Sequence, residues 1–220
     1  MRQIEIVGQM LARILRLARD GRQGEALGLF EEAYQPLLGV SARVVSTLSD
    51  EQLLSLLTSG SMPDLRRVAT VLELLKAEAD LHAQAGGDAA AGSRYRRALA
   101  LAGFLAARSE ALLDAALAAD LAERAAAMDL SAAQRLQLAR VLEALGRYAD
   151  AEDAVFEAID ADPDDPAPVE AGIAFCQRLL ALDPQRLAAG GLPLEEVKAS
   201  LAELLRRQPV VADEEPPPAW

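Results

Sequence analysis

The chain has 220 residues, of which 52% are hydrophobic but only 4% aromatic, and Ala and Leu dominate; this is material for a helical core and not for strands, which draw on β-branched and aromatic residues. The formal charge of −12 is lopsided: residues 1–142 carry 16 basic and 17 acidic side chains, whereas residues 143–220 carry 6 and 17. An acidic half repels phosphate backbones and argues against a nucleic-acid ligand there, and a single Cys176 excludes an internal disulfide and a cysteine-based zinc cluster.

No apolar run reaches membrane-spanning length, so no membrane partner is expected. The start, "MRQIEIVGQM", has Glu5 where a signal peptide needs an apolar core. The expected location is cytoplasmic.

The first helix is expected over Arg2 to Arg19, with Ile4, Val7, Leu11, Ile14 and Ala18 on one face. Gly21 breaks it. A second helix runs through Ala26, Phe30 and Ala33 and stops near Pro36. "SDEQLLSLL" begins a short helix, with Ser49 and Gln52 spaced as a reciprocal cap. Pro63 suits the first turn of the next helix, whose stripe is Val68, Val71, Leu72, Leu75, Ala79 and His82. Gly86 and Gly87 end it. Another helix carries Ala91, Tyr95, Ala98 and Leu99, and a long Ala-rich segment continues from Phe104 to Met128, kinked near Ser109. Ser131 and Gln134 repeat the capping device, and two helices follow, split at Gly146. "DADPDDPAPVE" reads as a loop before a helix over Ala171–Leu182, and "GGLPLEE" introduces a last helix over Leu194–Arg207. Residues 208–220 form an acidic, Pro-rich tail expected to be disordered or extended. Trp220 at its end is either an anchor for a partner or an idle terminal residue.

Two helices that fold back on each other need a small residue at the corner and small residues where their backbones meet. Residues 132–165 supply them: Leu138, Ala139 and Leu142 line the first helix, and Gly146 makes the turn. Tyr148 then starts the second helix, Ala151 and Ala158 allow close contact, and Pro163 stops it. This stretch resembles the tetratricopeptide repeat, a helix–turn–helix unit of about 34 residues. It departs from that pattern at Arg135, where the family usually has Trp, and at Val155, where it usually has an aromatic. Weaker copies place Gly21, Ala26, Phe30 and Ala33, then Ala79, Gly86, Ala91, Tyr95 and Ala98, in the same register. The units lie near 7–40, 72–103 and 132–165. Ala26 to Ala91 is 65 residues and Ala91 to Ala151 is 60, so extra helices must sit between units. The expected fold is therefore all-α, with tetratricopeptide-like hairpins in a compact or interrupted right-handed stack, as one domain over residues 1–207.

The opening "RQIEIVGQMLARIL", with "YADAEDAVFEAID", "GIAFCQRLLAL" and "LPLEEVKASLAELLRR" in that order, also resembles an uncharacterised bacterial domain-of-unknown-function family with tetratricopeptide-like features. That resemblance implies a helical-repeat fold and brings no activity, ligand or catalytic residue.

No catalytic or metal-binding set emerges, and no cofactor is expected. His82, the only histidine, falls in the helix-packing register, and Cys176 lies within an apolar helix. "DADPDDP" has alternating carboxylates, but a calcium loop needs Gly and Glu where Asp165 and Ala171 stand. Arg94, Arg96 and Arg97 sit together on a helix start, suited to an acidic or nucleic-acid partner, with a solvated face as the plainer reading. Tetratricopeptide proteins often bind peptides along their first helices. The corresponding groove positions here are Leu11, Leu15, Lys76, Asp80, Leu136 and Arg140. The carboxylate clamp of some members uses Asn and Lys, and this chain has no Asn. The sequence favours a noncatalytic protein-interaction module or scaffold, binding a protein or peptide or pairing with itself through the first helix. The alternative is a small-molecule sensor or enzyme with a pocket between helices.

Overall fold

The computed structural model describes residues 2–59 and 62–208; the tail from residue 209, with Trp220, lies outside them. Helices account for nearly all the regular structure. They are α1 (Arg2–Arg19), α2 (Gln23–Ala33), α3 (Gln35–Leu38), α4 (Ala42–Val45), α5 (Asp50–Leu56), α6 (Leu65–Gln84) and α7 (Asp88–Ala106). They continue with α8 (Ala115–Ala126), α9 (Ala132–Ala144), α10 (Tyr148–Ala161), α11 (Pro166–Leu179), α12 (Pro184–Ala189) and α13 (Leu194–Arg207). Among the described residues the one departure from an all-helical chain is a two-residue antiparallel ladder, β1 (Thr58–Ser59) with β2 (Met62–Pro63).

Glycine corners join the helices into hairpins. At Gly21, Gly86 and Gly146 the backbone is left-handed, with φ of 75°, 75° and 73°. Each corner closes in the same way. The glycine N–H donates three residues back, to Ala18, Ala83 and Glu143, and the next N–H donates five back, to Leu17, His82 and Leu142. These bonds satisfy carbonyls that a helix end leaves open, and only glycine adopts that φ without strain. Gly191 (φ 82°) makes the same pair of bonds, to Ala188 and Leu187. It is a further corner of this kind, between α12 and α13.

Small residues then set the packing. Ala26, Ala33, Ala79, Ala91, Ala98, Ala139, Ala151 and Ala158 are all buried, as are Phe30, Tyr95 and Tyr148. Helix α1 packs on α2, α6 on α7, α9 on α10 and α11 on α13, while α2 lies on α6, α7 on α9 and α10 on α11. The buried residues form one continuous apolar core from Val7 to Leu204. The α1 stripe of Val7, Ile14 and Leu17 is consumed in that core. Pro163 lies in the turn between α10 and α11.

Four boundaries differ from the sequence expectation, each for a local reason. Pro36 does not end α2; the helix ends at Ala33 and Pro36 opens the short α3. Pro63 belongs to the ladder; the Asp64 carboxylate accepts the Arg66 and Arg67 N–H groups at 3.1 and 3.2 Å, so α6 starts at Leu65, two residues after Pro63. The segment from Phe104 to Met128 is two helices and not one kinked helix. The chain turns extended at Ser109, passes a 3-10 turn over Glu110–Leu112, and restarts when Asp114 caps Leu117 at 2.8 Å. Helix α11 starts at Pro166, capped by Asp165 on Ala167 N–H at 2.9 Å, well before Ala171, and ends at Leu179. The reciprocal caps at Ser49/Gln52 and Ser131/Gln134 form as read.

The glycines give a signed test. Gly8 lies on exposed α1, and a Cβ added there would have nothing within 4 Å, so Gly8→Ala raises stability by about 0.5–1 kcal/mol. A Cβ on Gly190 would overlap Tyr148 Cδ2 and the Gly146 carbonyl oxygen, so Gly190→Ala lowers it by about 1–3 kcal/mol. Urea unfolding of both variants checks the opposite signs.

Candidate functional site

The polar groups of the molecule gather in three places. The first is inside. Glu78 of α6 is 4% exposed and fully engaged: Tyr34 Oη donates to its Oε2 at 2.7 Å, and Arg94 Nε of α7 donates to its Oε1 at 2.8 Å. His82, one turn further along α6, brings Nε2 within 3.7 Å of the same carboxylate. Burial, with Glu78 beside it, raises the Tyr34 hydroxyl pKa well above its ordinary value. Burial and the neighbouring Arg94 lower that of His82 below 6.5, against the opposing pull of Glu78. The cluster clasps the α2–α3 junction to α6 and α7. Glu78 and Tyr34 were not singled out from sequence, although Glu78 falls on the stripe of Val71, Leu75 and Leu81, where a lone acid signals a buried partner.

The second place holds two of the groove positions. Lys76 Nζ lies 2.8 Å from Asp80 and also pairs with Asp120 of α8; Arg124 Nε lies 3.0 Å from Asp120 and 3.6 Å from Asp80. Tyr95 Oη donates to Asp80 at 2.6 Å beneath the Arg124 guanidinium. Lys76 and Asp80 are thus bound into a lattice that ties α6, α7 and α8 together.

The third place is the outer face of α9. Leu136 and Arg140 share a cleft of about 80 Å³ with Phe175 and Arg178 of α11. Arg140 also lines neighbouring clefts of about 350 and 210 Å³. The remaining groove positions sit on α1, where Leu11 packs against the core and Leu15 is 44% exposed. The six positions therefore separate into an α9 pair in one cleft, an α6 pair in the ion lattice, and an α1 pair.

The arginines of the α7 start are each tied to the protein by hydrogen bonds. Arg94 holds Glu78, Arg97 donates to the Val45 and Ser46 carbonyls at 2.6 and 3.1 Å, and Arg96 donates to that of Asp129 at 3.2 Å. A larger cleft, about 360 Å³, opens between α8, α9 and α10, with an apolar lining that includes Leu138 and Leu142 and a charged one that includes Arg147, Asp150 and Asp153. Arg135, which stands where the repeat usually has Trp, pairs with Glu157 there. Cys176 is buried, and desolvation, with Glu152 nearby, pushes its thiol up to about 11. Among the described residues there is no cluster of three or more His, Cys, Asp or Glu placed to hold a metal, and no helix is long and apolar enough to cross a membrane.

Three outcomes follow from these clusters. Glu78→Ala leaves Arg94 and Tyr34 buried without their acceptor and costs about 3–5 kcal/mol in chemical unfolding. The unfolded chain takes up a proton at His82 more readily than the folded one. Unfolding free energy is therefore at its full value above pH 6.5 and declines as pH falls through 6.5 toward the lowered folded pKa, a slope that His82→Gln reduces. Cys176, held as a thiol, reacts with a thiol reagent at mildly alkaline pH at least about a hundredfold more slowly than in urea.

Comparison with known proteins found no curated protein and no solved structure that matches the chain. One family model matches, that of the family of unknown function DUF6483, over residues 1–208. The span takes in every helix from α1 to α13 with the corners and clefts between them, so the chain belongs to the family of unknown function DUF6483.

Proposed function

We propose that the protein is a noncatalytic interaction module of the cytoplasm, built from hairpins stacked in the tetratricopeptide manner, that binds a protein or peptide on the outer face of α9. The repeated glycine corners support the stacking, as do the contacts of α7 with α9 and of α10 with α11. Stacked hairpins offer extended surfaces for docking. The observation that carries the docking reading is the set of adjoining clefts around Leu136 and Arg140, two positions expected from the repeat register to face a groove. Small residues, among them Ala106, Ala133, Ala144 and Ala171, leave that face open to another chain.

A second reading rests on the cleft of about 360 Å³ between α8, α9 and α10, whose size and mixed lining suit a small molecule that is sensed or transformed. A compound that raises the melting temperature of the native chain, but not that of Arg147→Ala, supports this reading.

Affinity capture with the full chain and with Leu136→Glu, read by mass spectrometry, tests the docking reading. A protein retained by the native chain and depleted at least about tenfold by the variant is the expected result. Equal capture by both chains, or none by either, goes against it.

A further inference from the structure

Helix α8 interrupts the stacking of hairpins. It follows a 3-10 turn, packs on α7 and on α9, and stands across from α10 with a cleft of about 360 Å³ between them. The facing positions are small, Ala122 and Ala126 on α8 and Ala154 on α10, so the space between the two helices stays open. Leu138 and Leu142 of α9 line its apolar part, together with Ala126 and Met128, which solvent still reaches. No aromatic ring is among the lining residues.

The charged side chains of the lining are unequal. Four are acids, Glu123 of α8 with Asp150, Asp153 and Glu157 of α10, and two are bases, Arg135 and Arg147. Both bases are committed. Arg147 Nε lies 2.6 Å from Asp150, while Arg135 pairs with Glu157 and donates to the Leu130 carbonyl at 3.2 Å. Glu123 and Asp153 have no ion pair and no side-chain hydrogen bond among the described residues. Arg96 and Arg124, outside the lining, are bonded elsewhere: Arg96 to the Asp129 carbonyl at 3.2 Å, Arg124 to Asp120 at 3.0 Å. An apolar cleft thus carries two carboxylates that the protein leaves unneutralised.

Resting on the small-molecule reading of this cleft, we infer that it takes a primary amine with an apolar body, the ammonium at the acidic side of Glu123 and Asp153 and the body along Leu138 and Leu142. The N–H groups of an ammonium donate to carboxylates in charge-assisted bonds, and the space is of a size that holds a small molecule. A quaternary ammonium fits less well, since it has no N–H to give and is recognised by aromatic faces, which the lining lacks. An anionic ligand meets the surplus negative charge and two arginines that already hold carboxylates.

Isothermal titration of the full chain at neutral pH tests the assignment with four probes: octylammonium, octyltrimethylammonium, octanol and octanoate, each well below its micelle-forming concentration. Octylammonium is expected to bind saturably, one to a chain, at least about fivefold tighter than the other three, and more weakly as salt rises from about 0.05 to about 0.3 M. The double variant Glu123→Gln, Asp153→Asn weakens it at least about fivefold, with circular dichroism confirming that the variant stays folded; both side chains are exposed. Ala126→Trp fills the cleft from an exposed position and weakens binding likewise, which locates the site even if the double variant fails to fold. No saturable binding of octylammonium, equal binding of any of the other three probes, or folded variants that bind like the native chain overturn the proposal. If octylammonium does not bind while a neutral or anionic compound raises the melting temperature of the native chain but not that of Arg147→Ala, the small-molecule reading stands and this one falls.

Discussion

Helices that meet through alanine or glycine can bring their backbones close together, and that closeness governs this molecule at its hairpins. It shortens the distance over which a hairpin must turn, and so demands a corner that glycine alone makes without strain. It also limits what can sit between helices. A Cβ on Gly103 of α7 would overlap Gln137 Oε1 of α9, and one on Gly172 of α11 would stand 2.8 Å from Val155 Cγ1 of α10. Packing at this density tolerates neither an added methyl group nor a missing one.

Close packing leaves few places for charge, and the chain sorts its ionic groups accordingly. One carboxylate, Glu78, goes inside with its donors, where three elements meet. A second set, around Asp80 and Asp120, seals the seam between α6 and α8. Most of the remaining acid faces water, as with Glu157 and Glu195, at 57% and 82% exposure. Buried pairs of this kind are costly to desolvate, and their usual return is fixed geometry. Here the geometry concerned is the register of the first hairpin on the second.

Features determined by neighbours in sequence were readable before the fold was known. The corners at Gly21, Gly86 and Gly146, the reciprocal caps at Ser49 and Ser131, and the ends of α1 and α13 all depend on residues within one or two turns. The corner at Gly191 escaped because Leu192 and Pro193 delay the following helix and shift its buried positions, Val197 and Leu204, out of register. The Glu78 clasp depends on Tyr34, 44 residues earlier, and no local pattern reports such a pairing. Lys76 and Asp80 were assigned to a groove on the assumption of bare first helices. The spacing of 60 residues between units already required inserted helices, but it did not say that α8 would bring Asp120 and Arg124 onto them. Leu136 and Arg140 line one cleft because no inserted helix crosses that part of α9.

The hairpin of α9 and α10 closes on its own corner bonds, and residues further along the chain add to it. Ala149 N–H donates to the Gly190 carbonyl at 3.1 Å, and the Tyr148 hydroxyl accepts from Arg186 at 2.8 Å, a partner 38 residues further on. During synthesis these two helices emerge from the ribosome before α12 exists. Until Gly190 and Arg186 are made, the Ala149 N–H has only water to bond to and the Tyr148 ring lacks part of its cover. The middle of the chain thus gains its last contacts from residues that are made after it.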